Sequence, residues 1–295
     1  MAALRELKDR IGSVASTQKT TSAMKMISSA KMHKAVGQLQ RLKPYRGMVQ
    51  TVMGHLLGTD MEFSSPLIES REVKNLAFAV FGSDDGLCGA YNVNIYKQLK
   101  ALIADTQKQR GSNVGITILP VGKKIAKAVQ SLASASVKVE TLDYISTRSS
   151  QEQLGKFTDV LRNGFLEGRF DLVNVVYVHF ISNSRQRLQV DQLLPVDYAQ
   201  LAADADKTAA NSPCIFEPDA NSIFNSVLPL HLRSTMQEIF TESAASEQCA
   251  RVMAMQTASD NARDLLDQLN LEYNKLRQES ITTELLDIAG GQIER

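Results

Sequence analysis

The chain has 295 residues and a formal net charge of +1, with 43% hydrophobic and 22% charged residues. These values are typical of folded globular proteins and exclude an intrinsically disordered chain. Aromatic residues make up only 6% and tryptophan is absent, which argues against nucleic-acid recognition by stacking. No apolar run approaches the ~20 residues of a membrane-spanning helix, and early charges interrupt any signal-peptide core. We expect a protein that is soluble or at most peripheral to a membrane.

Residues 1–58 are predicted to form one long helix. Leu4, Leu7, Ile11 and Val14 recur at alternating spacings of three and four, which indicates a helix that packs along a partner helix. A polar block at residues 17–22 interrupts this stripe. The segment holds ten Lys and Arg against two acids, so this end of the chain is basic.

Residues 74–198 are predicted to form an inserted α/β domain. Short runs of branched apolar residues indicate strands, at residues 76–81, 114–119, 137–142, 172–181 and 187–194. Helical stretches separate them, at about residues 93–108, 123–132 and 151–166. This alternation predicts a Rossmann-like fold with a mainly parallel sheet. A turn at Asn183-Ser184 is expected to add an antiparallel edge strand.

Residues 215–290 are predicted to form the second long helix. No Gly or Pro occurs between Leu230 and Ala289, and Gly290-Gly291 is expected to end the helix. Heptad spacing indicates a coiled-coil stripe, formed by Val252, Met255, Ser259, Ala262, Leu266, Leu269, Tyr273 and Leu276. A shifted register is expected to continue the stripe through Ile281, Leu285 and Ile288.

The fold class predicted from these segments is α/β, with the two terminal helices paired as an antiparallel coiled coil. The last 81 residues hold six Lys and Arg against thirteen acids, so the two ends of the chain are oppositely charged. Surface ion pairs contribute only tenths of a kcal/mol each. We therefore expect the apolar seam to provide most of the stability of the helix pair.

A search for catalytic chemistry in the sequence finds no motif for it. The loop after the first strand reads GSDDGLCG, whose glycines lack the dinucleotide-binding spacing. Asp84 and Asp85 would repel a phosphate there, so a tight strand-to-helix turn is the better interpretation. The four histidines have no metal-ligand spacing, and the three cysteines form no CxxC pair. We expect no cofactor, no metal and no catalytic residue.

Three segments of the chain carry recognisable motifs. They read ALRELKDRIGSV with AMKMI near the start, GSDDGLCGAYN in the middle, and SEQCARVMAMQTASDNARDLL with LRQESITTE near the end. These motifs resemble those of ATP synthase gamma subunits. Their order and separations match the family, so the resemblance spans the chain. It implies a non-catalytic rotor subunit of the central stalk, which transmits torque between an ion-driven membrane ring and the catalytic head.

The resemblance also implies partners. These are the alternating alpha and beta subunits of the catalytic hexamer, an epsilon subunit and the membrane c-ring, with one copy of the chain per complex. It places Met24 and Lys25 in the part of the first helix that rotates against the inner surface of the hexamer. It places Phe216 and Glu217 in the foot, the part of the subunit near epsilon and the c-ring. Contacts of the second helix with the hexamer are implied for Arg251, Arg277, Gln278, Thr282 and Glu284.

Asp85 departs from the family pattern, which often has Arg at this position. Because no transit peptide precedes the first motif, we expect the cytoplasmic face of a bacterial plasma membrane, with a mature mitochondrial form as the alternative. Two other functions remain open at this stage. One is a coiled-coil tether with an α/β recognition domain, and the other is a nucleotide-dependent enzyme built on the central sheet.

Overall fold

The computed structural model describes residues 2–58, 63–111, 114–182, 185–197, 201 and 216–293, with the backbone alone at residues 2–3 and 287–293. Its helices are α1 (Ala2–Leu57), α2 (Tyr91–Arg110), α3 (Lys123–Val129, continued by a 3-10 turn at Gln130–Leu132), α4 (Gln151–Leu166) and α5 (Ala220–Ile293). Its strands are β1 (Asn75–Phe81), β2 (Gly115–Val121), β3 (Val137–Val139), β4 (Leu172–Ser182) and β5 (Arg185–Leu194). The predicted fold class is therefore confirmed.

The five strands form one sheet in the order β3-β2-β1-β4-β5. The first four are parallel, and β5 runs antiparallel to β4. Apolar residues of β1 and β2 are buried along almost their whole length, and those of β4 are buried mainly between Val173 and Val178, as expected for parallel strands covered on both faces. The predicted turn at Asn183-Ser184 lies outside the described residues.

A hydrophobic core lies on each face of the sheet. One core packs α4 and α5 against the sheet and includes Phe81, Phe157 and Phe224. The other packs α2 and α3 against the opposite face and includes Ile95 and Ile125. The sheet is thus sandwiched between helices, as in other α/β folds.

The chain divides into two compact units, Met1–Ala30 with Arg251–Arg295, and Lys31–Ala250. Each unit contains part of α1 and part of α5. Within the second unit the two helices are antiparallel, since Arg46 pairs with Glu238, whereas Ser64 beyond α1 bonds to Asn221. The predicted domain limits at residues 58, 74, 198 and 215 stay predictions.

The long helix α5 begins at Ala220, within the predicted segment 215–290, and it includes Pro229, which precedes the stretch free of Gly and Pro. It continues through Gly290-Gly291 to Ile293, so the predicted end was wrong. A glycine costs a helix only ~1 kcal/mol relative to alanine, which a helix of 74 residues can tolerate.

The strand predicted at residues 137–142 is shorter in the structure, because β3 ends at Val139.

Candidate functional site

The acidic loop after β1 is a structural turn whose carboxylates are bonded within the chain. Asp84 Oδ1 accepts a hydrogen bond from the Lys123 N–H at 3.0 Å. Its Oδ2 accepts from the Thr147 hydroxyl at 2.7 Å and the Thr147 N–H at 3.2 Å. Asp85 pairs with Arg148. Asp84, in the loop after β1, therefore bonds to the start of α3 after β2 and to the loop after β3. These three connections lie at the carboxyl edge of the sheet, where a nucleotide binds in other folds of this class.

Replacing Asp84 by alanine should lower the free energy of unfolding by about 1–3 kcal/mol, because two partly buried donors of Thr147 and the exposed Lys123 N–H lose their acceptor. Asp85→Ala is a matched control in the adjacent position. Its ion pair with Arg148 is mainly exposed, so we expect a loss below about 0.5 kcal/mol. Urea unfolding of the full chain measures both values. Equal losses in the two variants would contradict this account of the loop.

The described cysteines are buried structural residues. Cys88 is 3% exposed, and its sulfur receives a hydrogen bond from Asn92 Nδ2 at 3.5 Å. Burial raises the pKa of the Cys249 thiol, and a hydrogen bond with Gln186 opposes this shift. Among the residues that the structure describes, no group of three His, Cys, Asp or Glu side chains is placed to hold a metal ion.

The first unit is a helix pair with a heptad seam. Along α5 the seam residues predicted from the sequence are all buried or partly buried, with Met255 at 5% and Leu269 at 3% exposure. Along α1 the three–four alternation continues through the polar block, since Gln18, Thr21 and Lys25 are partly buried at the expected positions. The heptad prediction is thus confirmed.

A polar layer interrupts the apolar seam of this helix pair. Lys25 Nζ donates a hydrogen bond to Gln256 Oε1 at 2.7 Å. Gln256 Nε2 in turn donates to the two carboxylate oxygens of Asp260 at 2.8 and 2.7 Å. The layer joins a cation of α1 to a carboxylate of α5 through one amide. Polar residues at seam positions fix the register of paired helices at some cost in stability.

At residues 281–286, the last described side chains of α5, no apolar stripe is buried within the chain. All side chains from Ile281 to Leu286 are exposed, including Ile281 at 47%, Leu285 at 61% and Leu286 at 66%. The predicted continuation of the seam through Ile281 and Leu285 is therefore wrong, and the side chain of Ile288 lies outside the described residues. Exposed apolar side chains that lie close together are typical of a surface that a partner covers.

Comparison with known proteins identifies the family. The family described as ATP synthase matches residues 3–293. The ATP synthase gamma chain of Phocaeicola vulgatus is 40% identical over 294 residues, which is 99% of this chain and 100% of that protein. The gamma chain of Bacteroides thetaiotaomicron is 37% identical over 302 residues, with full coverage of both chains. The chain belongs to the ATP synthase gamma chain family.

Solved structures show the same fold in distant relatives. A chain of the Euglena gracilis mitochondrial ATP synthase, in a structure titled OSCP/F1/c-ring, matches with a TM-score of 0.66 at 20% identity, over 99% of this chain and 94% of that one. A chain of the Tetrahymena thermophila central stalk/c-ring structure matches with a TM-score of 0.59 at 22% identity, over 81% of this chain and 99% of that one.

Membership of the gamma chain family settles the class of function. The chain is the central-stalk rotor subunit of an F-type ATP synthase, and it is a non-catalytic subunit of that complex. The enzyme alternative is therefore excluded.

None of the described helices contains an apolar stretch long enough to span a membrane.

The predicted contact residues of the gamma chain in the first unit differ in exposure. Met24 is partly buried and Lys25 lies in the polar layer. Arg251 is only 6% exposed, so little of its side chain is available to a partner in this conformation. The other four predicted contacts on α5 are exposed, namely Arg277, Gln278, Thr282 and Glu284. Their roles as contacts stay predictions.

The predicted foot residues lie in the second unit. Phe216 is partly buried and packs against the core that α4 and α5 share with the sheet. Glu217, the next residue, is exposed. Of this pair, Glu217 therefore offers the side chain that a partner can reach, whereas Phe216 anchors the segment to the core.

Sequence reasoning missed the partners of Lys25 and Arg46. Lys25 bonds to Gln256, 231 positions away, and Arg46 pairs with Glu238, 192 positions away. One signal was present in the sequence, because both cations continue the three–four spacing that begins at Leu4. A charged residue at a seam position requires a polar partner on the facing helix. The spacing alone does not say which residue that partner is.

Proposed function

We propose that the helix pair of the first unit is the shaft that turns inside an alternating ring of alpha and beta subunits, with one copy of the chain in each complex. Torque passes along this pair between a membrane c-ring driven by ion flow and the catalytic sites of the ring. The chain contributes mechanical coupling, and the chemistry of ATP synthesis takes place on the ring subunits.

The observation that carries the proposal is the exposed apolar end of α5. Leu285 and Leu286 are both more than half exposed, and Ile281 lies one helical turn before Leu285. Covering a leucine side chain stabilises a complex by about 1.5–3 kcal/mol. The ring subunits would surround these apolar residues and keep the end of α5 on the rotation axis while the shaft turns.

The contact residues of the shaft are proposed to include Met24, Lys25, Arg251 and the four exposed residues of α5 between Arg277 and Glu284. Their charged and amide groups can form and release hydrogen bonds as the ring changes conformation. A side chain held by its own helix, as the Thr282 hydroxyl is by the Gln278 carbonyl at 2.9 Å, leaves its methyl group outward and binds a passing surface weakly.

The foot is proposed to include Phe216 and Glu217 and to contact an epsilon subunit and the c-ring. We place the complex at the cytoplasmic face of a bacterial plasma membrane, to which this chain is peripheral. In support, the similar gamma chains named above come from bacteria, and the two structural relatives come from assemblies whose titles include a c-ring.

Reconstitution with the alpha and beta subunits of the same organism tests this function. We expect one copy of the chain per six ring subunits and a severalfold stimulation of ATP hydrolysis. Truncation after Glu284 should remove most of the stimulation, because the ring loses the apolar end it holds. Leu285→Ser with Leu286→Ser keeps the length of α5 and should reproduce much of that loss.

Two outcomes would contradict the proposal. If the chain does not enter the ring but binds another fixed partner, the tether hypothesis becomes the better one. If the double serine variant stimulates hydrolysis as well as the parent chain while the truncation does not, the length of α5 matters and its apolar surface does not.

A further inference from the structure

The second unit contains a cavity of about 280 Å³ between the β4–β5 hairpin, α5 and α1. Its walls carry an unusual number of titratable groups. They are Arg46 of α1, Tyr177 and His179 of β4, Asp191 of β5, Asp197 after β5, and His231, Glu238 and Glu242 of α5. None of these groups belongs to the shaft surface described above.

One contact across this cavity joins the hairpin to α5 through two titratable side chains. His179 Nδ1 lies 2.7 Å from Glu242 Oε2. Glu242 is 6% exposed, whereas a third of the His179 ring remains accessible. The carboxylate is therefore inside the protein, and the imidazole connects it to solvent.

The surrounding charges are mainly negative. Glu238, one turn before Glu242 on α5, pairs with Arg46 of α1. Asp191 accepts a hydrogen bond from the Tyr177 hydroxyl at 2.8 Å. Burial and the neighbouring Asp191 raise the pKa of Tyr177, so the phenol keeps its proton. With Asp197 included, four carboxylates face one arginine and the two imidazoles of His179 and His231.

We propose that His179 and Glu242 form a proton-operated latch that holds the β4–β5 hairpin on α5 while the pair retains a shared proton and loosens it when that proton is lost. Loss of the proton leaves a buried carboxylate beside Glu238 with a neutral imidazole as its partner. A buried carboxylate whose hydrogen-bonded partner is neutral and whose nearest cation, Arg46, already pairs with Glu238 is costly, and opening the hairpin admits water to it.

Whether the hairpin opens at high or at low pH depends on which state, closed or open, binds the proton more tightly. Burial raises the pKa of Glu242, and Glu238 raises it further, whereas His179 and Arg46 lower it. In the open hairpin Glu242 returns to its ordinary range, so the closed state binds more protons than the open state. The closed state is therefore fully favoured at low pH and loses stability as pH rises through the raised pKa of Glu242.

Hydrogen exchange of the full chain between pH 6 and pH 9 tests the latch, with each rate corrected for its intrinsic pH dependence. We expect the protection of the β5 amides at residues 185–194 to fall at least fivefold over this range. In Glu242→Gln the group is neutral at every pH, so protection should change less than twofold. His231→Gln, which removes the other imidazole of the cavity, should keep the parent response.

A pH-independent corrected protection in the parent chain would overturn the proposal, and so would a Glu242→Gln variant that follows the parent. NMR titration of the Glu242 side-chain carboxyl provides a second measurement that needs no fold-altering variant. Its pKa should lie above the ordinary range of a glutamate, and the carboxyl should lose its proton over the same pH range in which the β5 protection falls. A Glu242 carboxyl that titrates in the ordinary range would also overturn the latch.

Discussion

Replacing Phe81 by alanine lowers the expected free energy of unfolding by about 3–5 kcal/mol, the range for deleting a fully buried phenylalanine. Phe81 ends β1 and is 2% exposed. Its ring lies edge-to-face with Phe157 of α4, at a centroid distance of 6.4 Å, and with Phe240 of α5, at 6.3 Å. The alanine variant leaves a cavity where the sheet meets both helices. Urea unfolding of the full chain measures the loss.

Two further variants make this prediction specific. Phe81→Leu fills most of the volume and should cost less than half as much, because it loses only the aromatic geometry and part of the contact area. Leu87→Ala, on the following loop, removes a side chain that is 59% exposed and should stay within about 0.5 kcal/mol of the parent. A Phe81→Ala loss below about 1 kcal/mol would show that this junction does not stabilise the domain.

Replacing Leu269 by aspartate is expected to open the helix pair of the first unit. The side chain is 3% exposed and occupies a heptad position, so the substitution removes about 1.5–3 kcal/mol of apolar burial. It also places an unpaired charge in the seam, which adds to the cost. Hydrogen exchange should show at least a tenfold loss of protection in α1 around Leu7, Ile11 and Val14. Reconstituted ATP synthesis should fall with it.

Leu271→Asp is the matched control for this experiment. It carries the same chemical change two positions further along α5, where the side chain is 72% exposed. In the free chain we expect protection of α1 to stay within twofold of the parent. Similar losses of protection in both variants would mean that the charge acts on helix propensity, and that the seam does not hold the pair together.

Much of this fold is predictable from local patterns in the sequence. Val252, Met255 and Ser259 begin a seven-residue repeat that no breaker interrupts, and such a repeat has only one favourable arrangement, a paired helix. The strands of the central sheet are similarly marked by branched apolar runs that must be buried. These predictions succeeded because they depend on residues close together in the sequence.

The errors come from effects that local patterns do not contain. Ile281 and Leu285 continue an apolar pattern, but pattern alone does not say whether α1 lies beside them, and both are exposed. Gly290-Gly291 normally ends a helix, yet a helix with many preceding turns continues through it. The packing of Phe216 against the core was not predicted either, because burial depends on tertiary neighbours, and its role as a contact in the foot stays a prediction.

The seven-residue repeat of α5 has a mechanical consequence for the helix pair of the first unit. Strict seven-residue repeats impose a left-handed supercoil on paired helices. Torque in the sense of the supercoil overwinds the two helices and presses them together, whereas torque in the opposite sense unwinds them and loosens their packing. We expect the pair formed by α1 and α5 to be stiffer for one direction of rotation. Rotation driven by ATP hydrolysis and rotation in the opposite direction, driven by ion flow during ATP synthesis, would then strain the same two helices unequally.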